Sequence, residues 1–202
     1  ENAVTFARFR LSSMGGLGPD GVLPTGAIPD GEVEDYEVTI DDRFVFKWIQ
    51  RPDLSTDGID VNASITDSGE YYVLADDWNC TQRGYVTDIH VFGSWLQDYL
   101  PFGEDPKEAK FILSIHADIP ADQSETGYSM PGELLWMHVF DRDDYKVRRF
   151  AEDIEEGWLD APDQYIFPAD WTCWRYDFHV DPHEAFFQVG SELEPVVYWL
   201  DV

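Results

Sequence analysis

The stretch "WRYDFHV", residues 174–180, puts Trp174, Tyr176, Phe178 and Val180 at one parity and Arg175, Asp177 and His179 at the other. Apolar and polar side chains that alternate at every second residue mark a strand with one face in a core and one in water. The period recurs upstream. In "KFILSIHAD" (110–118), Phe111, Leu113, Ile115 and Ala117 oppose Ser114, His116 and Asp118. In "TDIHVFGSW" (87–95), Ile89, Val91 and Trp95 oppose Asp88, His90 and Ser94. Further strands are predicted in "RFVFKWI" (43–49), "EYYVLA" (70–75), "ELLWMHVF" (133–140), "YKVRRFA" (145–151) and "PVVYWLDV" (195–202), separated by Gly, Pro, Asp and Ser. Helical periodicity comes nearest in "RRFAEDIEEGW" (148–158), which halts at Gly157 after two turns. The pattern predicts an all-β chain: a two-sheet antiparallel β-sandwich of jelly-roll or immunoglobulin-like type.

A chain of 202 residues can bury a sizeable core. Thirteen Lys and Arg against 41 Asp and Glu leave a net charge of −28. Such a field repels phosphate backbones and anionic lipid, which disfavours nucleic acid as a partner, and it attracts divalent cations. No run approaches the ~20 apolar residues that span a bilayer, so membrane insertion is not expected. The chain opens on Glu1 without a basic-then-apolar leader, the expectation for a mature or excised segment.

Near the beginning, Ala3, Ala7, Phe9 and Leu11 alternate with Val4, Phe6, Arg8 and Arg10; later, Tyr36, Val38 and Ile40 alternate with Val33, Asp35, Glu37 and Thr39. Lying antiparallel, the two segments would set Arg8 and Arg10 against the acids of "EVEDYE", each pair contributing about 0.2–1 kcal/mol. A two-stranded ribbon is still marginal in water, and its long Gly/Pro-rich connection adds closure entropy. The expectation is an N-terminal two-strand extension that needs other strands, with Phe6, Arg8, Phe9, Arg10, Tyr36 and Val38 as its subunit contacts.

"FARFRLSS" (6–13) followed by "DGEVEDY" (30–36) resembles the closing segment of the GEVED domain of exported, often multidomain, bacterial surface proteins. The resemblance covers residues 1–40 and does not include the Asp-rich, calcium-like loops that family carries in earlier strands. The strings "KWIQRPD", "GIDVNA", "LADDWNC", "TDIHVFGSW", "LSIHADIPA", "YSMPGELLW" and "VVYWLDV" make residues 44–202 similar to a β-sandwich domain of secreted proteins from Planctomycetes-type bacteria. That likeness implies an extracellular or cell-surface location and brings no activity and no catalytic residues. Two readings then account for the leading ribbon: a stub of a preceding domain, or strands that complete the sheet of an identical subunit or adjacent domain.

Chemistry has few candidates. Asp76 and Asp77 in "LADDWN", read as a loop after a strand, and Asp57 and Asp60 in "STDGIDVN" are the candidate calcium ligands, and calcium is the single cofactor considered. "FDRDDYK" (140–146) is acidic as well but lacks the glycine and distal glutamate of an EF-hand. Cys80 and Cys173 lack metal spacing and read as a disulfide, with two buried free thiols as the alternative. His90 and His116 would form a site only if their strands were neighbours. Trp78, Trp158 and Trp171, read as loop residues, could stack on sugar rings or plug the end of the core. No GxSxG, HExxH or P-loop occurs. The expected function is therefore a non-catalytic extracellular structural or adhesive protein that assembles by strand complementation, with a carbohydrate-binding module for polysaccharide as the alternative.

Overall fold

The computed structural model describes residues 47–64, 72–100, 105–160 and 164–202, together with the backbone of 3–11 and 32–40. Two compact units divide at residue 46: Glu1–Phe46 and Lys47–Val202. In the first, β1 (Ala3–Leu11) and β2 (Glu32–Ile40) pair antiparallel as a two-stranded sheet of their own. Arg8 stands opposite Asp35 as expected, whereas Arg10 stands opposite Val33. The side chains of Phe6, Arg8, Phe9, Arg10, Tyr36 and Val38 lie outside the described part of the structure.

The second unit is a sandwich of two four-stranded sheets. Its strands are β3 (Ile59–Val61), β4 (Ala75–Cys80), β5 (Gly84–Val86), β6 (Asp88–Gly93), β7 (Phe111–Ile119), β8 (Met130–Phe140), β9 (Tyr145–Asp160), β10 (Gln164–His179), β11 (Phe186–Gln188) and β12 (Val196–Asp201). One sheet runs β3-β9-β10-β6, the other β4-β12-β7-β8, and β5 with β11 forms a small antiparallel pair. Pairing is antiparallel except between β3 and β9, which run parallel. Among the described residues the only helical pieces are two 3-10 turns, so the expected all-β sandwich is what forms. None of these is long and apolar enough to cross a membrane.

The alternating strands deliver their apolar faces as their parity requires. Tyr176, Phe178 and Val180 of the β10 segment bury with Ile89 of β6, Tyr145 of β9, Leu113 of β7 and Phe140 of β8 in one cluster between the sheets. Its rings meet tilted or edge-on: Phe140 and Phe178 at 4.7 Å, Phe111 and Tyr145 at 5.3 Å and 89°. Such edge-to-face contacts add to area burial. The polar tips are satisfied, for the Tyr145 hydroxyl lies 2.7 Å from the Ala109 carbonyl and Trp95 Nε1 donates to the Tyr176 hydroxyl at 2.9 Å. A second cluster joins Trp78, Cys80, Ile115 and Tyr198, with Phe186 edge-on to Tyr198.

Two strand positions differ from the sequence reading. Lys47–Ile49 carries no strand, and residues 72–74 precede rather than form one. The strand is β4, because Trp78 and Cys80 share the parity that faces the second cluster. The helix-like "RRFAEDIEEGW" lies wholly within β9.

Phe178 is 1% exposed and contacts rings from three strands. Phe178→Ala is expected to lower stability by about 3–5 kcal/mol in urea unfolding, and Ile112→Ala, on the solvent side of β7, by less than about 0.5 kcal/mol.

Candidate acidic centre

Three adjacent strands, β3, β9 and β10, each contribute one carboxylate to the same point: Asp60, Glu156 and Asp170, whose ligating oxygens all lie within 4.8 Å of one another. Glu156 and Asp170 stand directly opposite in the β9–β10 ladder, and Asp60 enters from the parallel pairing of β3, one register position from Gly157. Simple alternation would not bury both. In β10, Ala169 and Asp170 are buried in succession because the ladder shifts register on either side of Asp170. Bulges of this kind re-aim side chains. In β9, Glu156 and Gly157 are likewise buried in succession. A Cβ on Gly157 would fall 2.5 Å from the Tyr165 hydroxyl, so only glycine admits that ring over the strand. Backbone bonds from the Gly157 amide to the Gly58 carbonyl (2.9 Å) and from the Asn62 amide to the Leu159 carbonyl (3.0 Å) hold β3 in place, with Asn62 Nδ2 donating to Asp160 at 2.8 Å.

The carboxylates lack donors. Both oxygens of Asp170, Oε2 of Glu156, Oδ2 of Asp60 and the adjacent Ser94 Oγ are buried without a hydrogen-bond partner. Asp170 is fully buried and Glu156 is 3% exposed. Burial, reinforced by the Asp60 and Asp170 charges, pushes Glu156 up to about 7. Burial and the Asp60 charge push Asp170 up to about 7, and burial raises Asp60 as well. Ser94 offsets part of each rise through its proximity, although its hydroxyl reaches none of them in good hydrogen-bond geometry. The Cys173 thiol, buried beside the same charges, rises to about 12 and stays protonated. Chemically, such a centre holds either shared protons or a cation that prefers oxygen ligands.

Of the four acids expected to bind calcium, Asp60 alone belongs to this centre; sequence reasoning missed Glu156 and Asp170. Asp76 and Asp77 are not loop residues. They are consecutive exposed positions of β4, opposite Leu200 and Trp199, so their side chains leave on opposite faces and cannot converge on one ion. Asp57 is exposed in the turn before β3. In "FDRDDYK", Asp144 accepts from the Asp141 amide at 2.8 Å and Asp141 pairs with Lys110 at 3.1 Å, an exposed turn.

The expected Cys80–Cys173 disulfide does not form. Both thiols are free and buried, Cys80 in β4 of one sheet and Cys173 in β10 of the other. Their Sγ atoms donate to the Gln82 and Trp174 carbonyls. His90 and His116 also belong to different sheets. His90 pairs with Asp177 at 2.6 Å, and His116 sits between the Gly132 carbonyl (3.0 Å) and Asp201 (3.3 Å). The three tryptophans lie on strands rather than loops. Trp78 is a core residue whose Nε1 donates to Gln188, Trp158 is half-buried on β9, and Trp171 is exposed on β10. Trp171 borders a shallow open depression of about 520 Å³ with Leu54, Ser55, Thr56, Asp153, Ile154 and Glu155.

A family model described as a domain of unknown function, DUF7901, matches residues 46–202. This chain belongs to that family. The match takes in the whole sandwich and the acidic centre. No curated protein and no solved structure matches. In the DUF7901 sandwich the centre therefore has to be judged on its own geometry.

The raised carboxyls give that geometry a pH signature in chelator-treated protein. Between the ordinary carboxylate range and about 7, the folded chain keeps protons that the unfolded chain has released. The stability tied to these protons is complete at the acid end and is lost as pH rises through about 7. Glu156→Gln has no such proton to lose, so the stability of the parent minus that of the variant should fall by roughly 2–3 kcal/mol between pH 4.5 and 8. Urea titrations of both proteins across that range check it.

Proposed function

We propose that this chain is a non-catalytic structural or adhesive module of a bacterial extracellular or cell-surface protein, which engages an identical subunit or adjacent domain through β1 and β2. One observation carries the reading. Ala3–Leu11 and Glu32–Ile40 form nine antiparallel residue pairs and, among the described residues, pair with nothing else. A two-stranded ribbon of that length exposes two full rows of backbone donors and acceptors, and it gains most by adding to another sheet. A heterologous contact of this type, repeated from copy to copy, produces a filament. The net charge of −28 suits such a role, keeping unassembled copies apart in salt water and making assembly responsive to calcium. Burial of the paired acids also supports a non-catalytic reading, since a sugar ring has no access to Glu156 or Asp170.

Trp171 favours a second reading, a carbohydrate-binding module. Its exposed indole borders an open depression with Asp153 and Glu155, an aromatic platform beside hydrogen-bonding acids.

Sedimentation velocity and negative-stain microscopy separate the two. The full chain is expected to form concentration-dependent oligomers or fibres, and a chain lacking residues 1–40 to remain monomeric. A full chain that stays monomeric at every concentration, yet binds an insoluble polysaccharide and releases it on Trp171→Ala, would replace the first reading with the second.

A further inference from the structure

The geometry points to one divalent cation of the oxygen-preferring class, calcium first, bound by Asp60, Glu156 and Asp170 and fastening β3 onto β9 and β10. This inference is independent of the ribbon and of the role proposed for it. It begins from spacing. Calcium takes oxygens at about 2.3–2.6 Å, so two ligands on opposite sides of one ion lie about 4.8 Å apart and adjacent ones closer. The oxygens of the three carboxylates fall within that limit.

Proximity among acids is common in so acidic a chain and decides nothing alone. The second observation is the unpartnered state of the buried oxygens. Asp170 has no exposure and neither of its oxygens has a donor; Glu156 Oε2, Asp60 Oδ2 and Ser94 Oγ are buried without partners around it. Outside the centre, Asp177 takes Arg175 and His90, Asp105 takes Arg142, Asp118 takes Ser129 and Trp199, and Asp201, whose Oδ1 is also buried without a donor, has its Oδ2 3.3 Å from His116. Among the described residues no Lys, Arg or His pairs with any member of the centre. Four buried carboxylate oxygens without a donor amount to an acceptor set for a cation that no described residue supplies.

The donor set selects among cations. Carboxylate and hydroxyl oxygens suit calcium, magnesium and manganese over zinc or copper, and Cys173 Sγ is turned to the Trp174 carbonyl. Magnesium needs near-ideal octahedral geometry and keeps several waters, which so closed a site with two fully or nearly fully buried ligands does not accommodate. Calcium accepts irregular coordination. Asp60, the half-buried member, marks the side from which the ion enters. The consequence is mechanical. β3 has only three residues and runs parallel to β9, and an ion shared by three strands would pin that short strand more firmly than its few backbone bonds.

The test is calcium titration of the chelator-treated full chain by calorimetry and thermal unfolding, in enough NaCl to screen surface acids. Expected are one equivalent of tightly bound calcium and a rise in Tm, with magnesium at least tenfold weaker. Asp170→Asn and Glu156→Gln should each abolish the tight equivalent while unfolding no earlier than the metal-free parent, since each removes a buried charge. That separates lost binding from lost folding. The paired variant Asp76→Asn, Asp77→Asn should bind as the parent does. The inference is overturned if the parent takes up no stoichiometric calcium, if uptake survives Asp170→Asn, or if zinc is preferred.

Discussion

The antiparallel pairing of β9 with β10 is the constraint on which the rest of the structure depends. Sixteen residues run in each strand, and the pair reaches from the aromatic core to the acidic centre. At one end its inward positions, Tyr145, Tyr176 and Phe178, close the aromatic core against Leu113 and Phe140 of the opposite sheet. At the other end its ladder slips register and turns Asp170 inward, opposite Glu156. One pair of strands therefore supports two interiors of opposite character. An aromatic interior contributes free energy through burial, and an acidic interior consumes it unless the charge is answered.

This division also explains why β3 pairs as it does. A three-residue strand has few hydrogen bonds of its own, and a parallel partner gives slightly less per residue than an antiparallel one. The Gly157 amide donates to the Gly58 carbonyl where β3 approaches β9, and Asn62 ties the strand's end to Asp160. What the approach accomplishes is the delivery of Asp60 to the other two acids. One of the three shortest described strands of the second unit is thus the one that completes its charged centre.

Strands that alternate strictly were legible from the sequence. Phe178, Leu113 and Ile89 face the core as their parity requires, and these positions carry the fold class without any knowledge of strand order. The acidic centre was not legible, for three physical reasons. Asp170 sits between register shifts, where side chains no longer follow period two. Glu156 lies in a run of acids that reads as solvated surface, and nothing local distinguishes it from Glu155. Asp60 depends on a parallel pairing between distant segments, which period and turn residues do not encode. Only the "GIDVN" turn carried a usable signal, and Asp60 was singled out there for its oxygen chemistry rather than its place in the fold. The same non-locality misled the reading of Asp76 and Asp77. Adjacent acids before a tryptophan resemble a loop until Trp78 and Cys80 are seen to bury together. Cys80 and Cys173 close similar "DWNC" and "DWTC" strings, yet each is a buried free thiol with its own carbonyl partner, a spatial separation that composition does not encode.

Hydrogen–deuterium exchange at the amides of Gly157 and Asn62, which bond to Gly58 and Leu159 across the β3–β9 junction, reads the coupling of short strand, hairpin and acidic centre most directly. The account predicts exchange slowed by calcium at these two amides and unchanged at the Leu113 amide in the aromatic core. Equal exchange at the junction with and without the ion would contradict it.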